Sequence, residues 1–133
     1  MTKESFTLIS SFSKLASFLN PNEYAIYDSR AIYSLNWLLF NFNNNTELYP
    51  QPLGRNSKLS QYDLSTIFNL TKKDIIYKSH KTAYFEYCKL LKLLSKEVYY
   101  DNKPYKIEML LFLIAPTKII ECIEKKTIIT INI

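Results

Sequence analysis

Glycine is almost missing from this chain, with Gly54 the only one in 133 residues. Phosphate-cradling loops and nucleophile elbows need several closely spaced glycines, because only glycine lets the backbone reach a ligand in left-handed geometry at no steric cost. Accordingly there is no Walker loop, no G-x-S-x-G turn and no H-E-x-x-H helix. Histidine is as scarce: His80 stands alone. Cysteine stops at Cys88 and Cys122, with no C-x-x-C spacing. Two thiols and one imidazole are too few ligands for a zinc site or an iron-sulfur cluster, so no metal and no cofactor is expected. Sparse, unpaired thiols suit a reducing cytoplasm. The longest apolar run, residues 109–115, is far too short to cross a bilayer, and the chain does not open on a charged and then apolar leader. These absences lead to the expectation of a soluble, cytoplasmic protein with no membrane partner.

What is present is ordinary globular material. A composition of 47% hydrophobic and 22% charged residues supports a packed core, and the length fits one domain over residues 1–133. Tyrosine is abundant, at 11 residues. Its ring with a polar edge suits amphipathic core positions, and equally suits a surface that stacks on bases. The net charge of +5 is uneven. Residues 1–54 hold three basic and four acidic side chains, residues 55–106 eleven and five, and residues 107–133 three of each. The excess therefore sits in the middle third, where lysines near a phosphate backbone would act by counterion release. Arg55, Lys72, Lys73, Lys78, Lys81, Lys89, Lys92 and Lys96 are the candidates for nucleic-acid binding. The competing explanation for the same residues is a solvated, lysine-rich surface.

Periodicity predicts a mainly α protein, a compact single-domain bundle of about five to six helices. Residues 5–19 read as one helix, or as a helix broken at Ser10-Ser11, with apolar residues at 6, 9, 12, 15, 16 and 19; Asn20-Pro21-Asn22 stops it. Residues 27–42 form the next helix, with Ile32, Leu35, Leu38, Leu39 and Phe42 at helical spacing. A long Pro/Asn-rich loop fills 43–60, and Arg55 is its best candidate to fork onto a phosphate. A short helix at 62–69 precedes a basic connector reaching Lys81. Residues 84–98 carry the clearest helical pattern, with Lys89, Lys92 and Lys96 on an outward face. After a turn at 101–104 comes a strongly apolar helix over 107–115, expected to be buried nearly all round and ended by Pro116; residues 118–125 allow one more. The β-branched alternation of residues 127–133 predicts a short C-terminal β segment whose free edge invites association.

Within the first two helices, two charges stand in otherwise apolar sequence: Lys14 in LISSFSKLASFL and Asp28 in AIYDSRAIYSLN. The first run resembles the hairpin of helix-hairpin-helix DNA glycosylases of the OGG-like (8-oxoguanine) branch, in which an apolar residue and a short hairpin precede a lysine heading the second helix. The second run resembles the following segment, in which an aspartate starts the next helix. The resemblance implies that Lys14 is the catalytic lysine and Asp28 the catalytic aspartate. Ser10 and Phe12 stand where the family has hairpin glycines, and the family's preceding helices have no counterpart here, which implies a partner chain that supplies them, or a remnant. The plain alternatives are a snorkelling surface lysine and a helix N-cap carboxylate.

Three functions remain open on this reading. The chain is a reduced OGG-like protein that excises a base from DNA, a lysine nucleophile and a carboxylate being the right chemical types for attack on a sugar carbon. Or it is a non-catalytic nucleic-acid-binding or regulatory module, for example from a mobile element or a phage-defence locus. Or it is an interaction protein that oligomerises through its C-terminal segment.

Overall fold

The computed structural model describes residues 1–42, 47–53, 57–71, 73–128 and 131. Its elements are α1 (Lys3–Phe6), α2 (Ile9–Leu19), α3 (Ser29–Phe42), β1 (Glu47–Leu48), α4 (Ser57–Gln61), α5 (Leu64–Asn69), β2 (Ile76–Tyr77), α6 (Ala83–Tyr99), α7 (Pro104–Ile114) and α8 (Ile120–Lys126). The fold is mainly α, as the periodicity predicts.

Helix α3 is the axis of the molecule. Its first two turns are buried on every side, from Ala31 to Trp37, because α7 packs along one face and the segment after α7 along another. Two clusters of apolar side chains meet on it. One gathers Phe6, Ile9, Tyr27, Ile32 and Leu35 with Tyr84, Tyr87 and Leu91 of α6 and Ile107 and Leu111 of α7. The other gathers Trp37, Leu48, Leu64 and Phe68 with Ile119, Ile120 and Ile123. Ser34 lets α3 and α7 approach closely, its hydroxyl donating to the Leu111 carbonyl at 2.6 Å.

The tyrosines belong to the core. Tyr27, Tyr33, Tyr49, Tyr84 and Tyr87 are all buried. Their rings meet edge to face, as Tyr27 does with Tyr87 at 5.0 Å. Their hydroxyls satisfy backbone carbonyls that have no ladder partner: Tyr84 donates to Ala25, Tyr87 to Ile26 and Tyr27 to Pro50. Burial and the neighbouring Glu108 push the Tyr87 phenol well above its usual pKa. Four of these phenols, those of Tyr27, Tyr33, Tyr84 and Tyr87, serve as internal staples.

Three expectations about the elements need correction. The loop predicted over 43–60 contains β1 and the start of α4, and β1 pairs in parallel with β2 from the supposed basic connector, Glu47 opposite Ile76. Two-residue strands have no period to read. Pro116 does not end its helix: the chain passes through a π-helical stretch, Ala115–Ile119, directly into α8. A wider turn removes the clash between a proline ring and the preceding turn, so the helical path continues past Pro116. Helix α7 is not covered all round either, since Met109, Leu110 and Leu113 are exposed on the side away from α3 and α6. The C-terminal β segment falls largely outside the described residues, and those that are described, 127, 128 and 131, form no strand.

Helix α6 ends as α-helices do when no glycine is to hand. Tyr100 takes the left-handed conformation at φ 60°, and its N–H reaches back to the Lys96 carbonyl. The next turn is held by Asp101, which accepts from Ser95 at 2.6 Å, from the Lys103 N–H at 3.2 Å and from the Lys106 ammonium. Hydrogen bonds from Lys106 and then Ser95 pull the Asp101 carboxyl down to about 2.

Candidate functional site

Helix α2 is where sequence pattern and packing part company. Its inward face carries Ile9, Ser13 and Ser17, while its bulky apolar residues point outward. Small side chains on that face let the extended segment 24–28 lie directly against the helix. Ser13, wholly buried, accepts the Tyr27 N–H at 2.8 Å and donates to the Ser10 carbonyl at 3.1 Å. Ser10 donates to the Tyr27 carbonyl at 3.1 Å. Both polar groups of the Tyr27 backbone are thus satisfied by serines that a helical wheel would mark as solvent positions.

This docking sets Lys14 and Asp28 on the walls of one hollow of about 830 Å³. Ser10, Ser11 and Lys14 of α2 line one side. Ile26, Asp28, Ser29 and Arg30 line the junction with α3, Leu53 contributes from the loop, and Glu108 and Phe112 of α7 close the other side. The Lys14 amine is exposed and, among the described residues, has no ion-pair partner. Asp28 caps α3: its Oδ1 accepts the Arg30 N–H at 2.8 Å, and its backbone carbonyl accepts from Ile32 at 3.0 Å. The cap reading and the site reading of Asp28 hold together, because the carboxylate keeps a second oxygen. The Arg30 guanidinium lies over the Phe112 ring, 4.7 Å from its centre.

Glu108 is the site residue that sequence reading misses. It is only 6% exposed. Burial first, and the charge of Asp28 second, raise its carboxyl to about 7. No hydrogen bond from a described residue reaches its oxygens. The signal was available: Glu108 is the one charge in IEMLLFLIA, the same oddity that marked Lys14 and Asp28. With its carboxyl raised to about 7, this group can both give and take a proton near neutral pH.

Residues 10–12, where the resemblance puts a hairpin, are helical; the turn falls earlier, at Thr7 and Leu8, and Lys14 stands in the second turn of α2. The basic set is dispersed. Arg55 and Lys72 lie outside the described residues. Lys73 sits over the Phe40 ring at 5.0 Å. Lys78 is largely covered, between Glu47 at 3.5 Å and Glu86 at 3.9 Å and against the Tyr49 ring. Lys92 is paired with Glu23. Lys81, Lys89 and Lys96 are exposed with no partner among the described residues. The outward face predicted for α6 therefore holds at 89 and 96, while at 92 a carboxylate from the α2–α3 connection captures the ammonium. His80 packs edge-on against Phe6 at 4.9 Å, as a wall of the core.

A smaller cavity of about 330 Å³ lies between α3 and α5, and three of its polar side chains are committed elsewhere. Asp63 caps α5 through Thr66, Gln51 donates to the Ser29 carbonyl, and Asn36 is locked to Tyr49. Among the described residues no group of three or more His, Cys, Asp or Glu side chains is placed to hold a metal ion, and no helix is long and apolar enough to cross a membrane. Comparison of the chain with family models, with curated proteins and with solved structures finds no match.

Proposed function

We propose that the hollow between α2 and α7 is a nucleotide site, and that the protein acts on DNA in the manner of a reduced OGG-like glycosylase. The observation that carries this reading is the lining of one solvent-reached hollow by an amine, Lys14, and a carboxylate, Asp28, from consecutive helices. In the proposed reaction the Lys14 ammonium gives a proton to the Glu108 carboxylate across the hollow, and the freed amine attacks the sugar C1′ of an everted nucleotide. The bond from C1′ to the base breaks, the base leaves with its electron pair and is protonated by the acid form of Glu108, and Asp28 stabilises the cationic sugar as it develops. One N–H proton of the substituted amine then passes to O4′ as the C1′–O4′ bond breaks, and ring opening leaves a protonated imine between Lys14 and C1′. Arg30 is the cation placed to meet a flanking phosphate. A reducing, cytoplasmic home goes with this reading, both cysteines being free thiols.

Borohydride reduction tests it. Duplex DNA carrying 8-oxoguanine or an abasic site, incubated with the protein and borohydride, gives a covalent protein–DNA adduct, and Lys14→Gln loses it. Absence of an adduct with the unmodified protein removes the catalytic reading.

A second reading rests on Lys81, Lys89 and Lys96, exposed cations without partners among the described residues. On this reading the chain binds nucleic acid without chemistry. Binding then weakens steeply with salt and survives Lys14→Gln.

A further inference from the structure

Helix α2 presents its large apolar side chains to solvent. Leu8, at its N-cap, is 55% exposed, Phe12 50%, Leu15 59% and Leu19 72%, and Phe18 beside them is 83% exposed. Leu8, Phe12, Leu15 and Leu19 are spaced four, three and four apart, the a/d spacing of a helix that packs into another helix. In an exposed position a single leucine means nothing, but a seam of four on one face does.

We infer that this seam is the contact between two copies of the chain, joined about a two-fold axis with the α2 helices antiparallel and Phe12 and Leu15 near the axis. Three observations select a second copy as the occupant. The seam is self-complementary in kind, Leu and Phe against Leu and Phe, as a two-fold contact requires. It carries no charge: Lys14 is the one charged residue in α2, and it lies about 130° round the helix from the centre of the seam at 100° per residue. Two chains of net charge +5 therefore bring these faces together without opposing like charges at the contact. The area is of the right order: the five side chains leave about 610 Å² bare, taking roughly 190 Å² for a fully exposed Leu or Phe, at the lower end of the roughly 600–1,000 Å² per partner that stable interfaces bury.

The same offset keeps Lys14, and the hollow it lines, clear of the contact, so this inference stands independently of the nucleic-acid reading. It also places association on α2 and not on the C-terminal segment, although Ile128 and Ile131 are exposed as well.

Sedimentation equilibrium on the full chain, across a concentration series into the high micromolar range, tests it. The expected result is a two-chain mass for the unmodified protein and a one-chain mass for Leu15→Glu, with unchanged far-ultraviolet circular dichroism. Leu19→Lys is the second variant. Both positions are exposed in the single chain, so neither substitution removes a core contact. A one-chain mass for the unmodified protein throughout the series overturns the inference. So does a two-chain mass that persists in either folded variant, including one abolished only by deleting residues 127–133, which would assign the contact to the C-terminal segment.

Discussion

The buried Ser13 hydroxyl accepts the Tyr27 amide hydrogen at 2.8 Å, and this bond ties α2 to the segment that leads into Asp28. It is the mechanical link between the two halves of the candidate site. Ser13→Ala leaves the Tyr27 N–H buried and unpaired. The expected loss of stability is about 1–3 kcal/mol, the desolvation cost of one orphaned donor. Urea unfolding checks it, and a change below about 0.5 kcal/mol would show that the amide finds another acceptor.

Glu108 makes stability depend on pH. A buried acid whose folded pKa is raised binds more protons in the folded than in the unfolded state between the two values. Its contribution is fully present below the unfolded value near 4.5 and is lost as pH rises through about 7. Glu108→Gln keeps the shape and removes the ionisation. The variant is expected to be more stable than the unmodified protein at pH 8, by up to about 3 kcal/mol, with the difference closing toward pH 5. Melting temperatures of the two proteins across this range decide the matter; parallel curves would place Glu108 in contact with water.

Asn36 holds the chain beyond β1 against α3. Its side-chain amide donates to the Tyr49 carbonyl and accepts from the Tyr49 N–H, both at 2.9 Å, in a buried pair. Asn36→Ala orphans two backbone groups at once and is expected to cost about 3 kcal/mol. Because the Tyr27 hydroxyl binds the neighbouring Pro50 carbonyl, Tyr27→Phe in the Asn36→Ala background is expected to cost less than in the unmodified protein. A double-mutant cycle in thermal unfolding measures that coupling, and strict additivity would argue against it.

The lysines divide by their partners. Lys89→Gln with Lys96→Gln is expected to weaken nucleic-acid binding and to lower the salt slope by about one for each lysine. Lys78→Gln is expected to leave binding unchanged and to lower the melting temperature, since its ammonium is spent between Glu47 and Glu86. Fluorescence anisotropy over a salt series separates the two groups. Equal salt slopes for all variants would remove the role of the α6 lysines.

Much of this molecule is legible from spacing. The runs over α3 and α6 repeat apolar residues at three and four, and each is a helix whose repeats face the core along most of its length. Pro104 begins α7 where a proline at the first helical position should. Legibility fails where small polar residues do the packing. A helical wheel of α2 assigns Phe12, Leu15 and Leu19 to the core and Ser13 to water, and the fold reverses both. The reversal has a cause that no wheel contains: segment 24–28 needs hydrogen-bond donors and acceptors at close range, and only serines at 10 and 13 supply them without holding the backbones apart.

By itself, the order of residues determined the long helices and the stop at Asn20-Pro21, because those depend on period, caps and proline, all local matters. It also marked Lys14 and Asp28, since a charge in an apolar run stands out without coordinates. Which charges share a hollow was decided only when α7, some eighty residues on from Asp28, packed against α3 and brought Glu108 and Phe112 to it. Burial depends on what arrives from elsewhere in the chain, and so do the raised pKa of Glu108, the capture of Lys92 by Glu23 and the bare seam of α2.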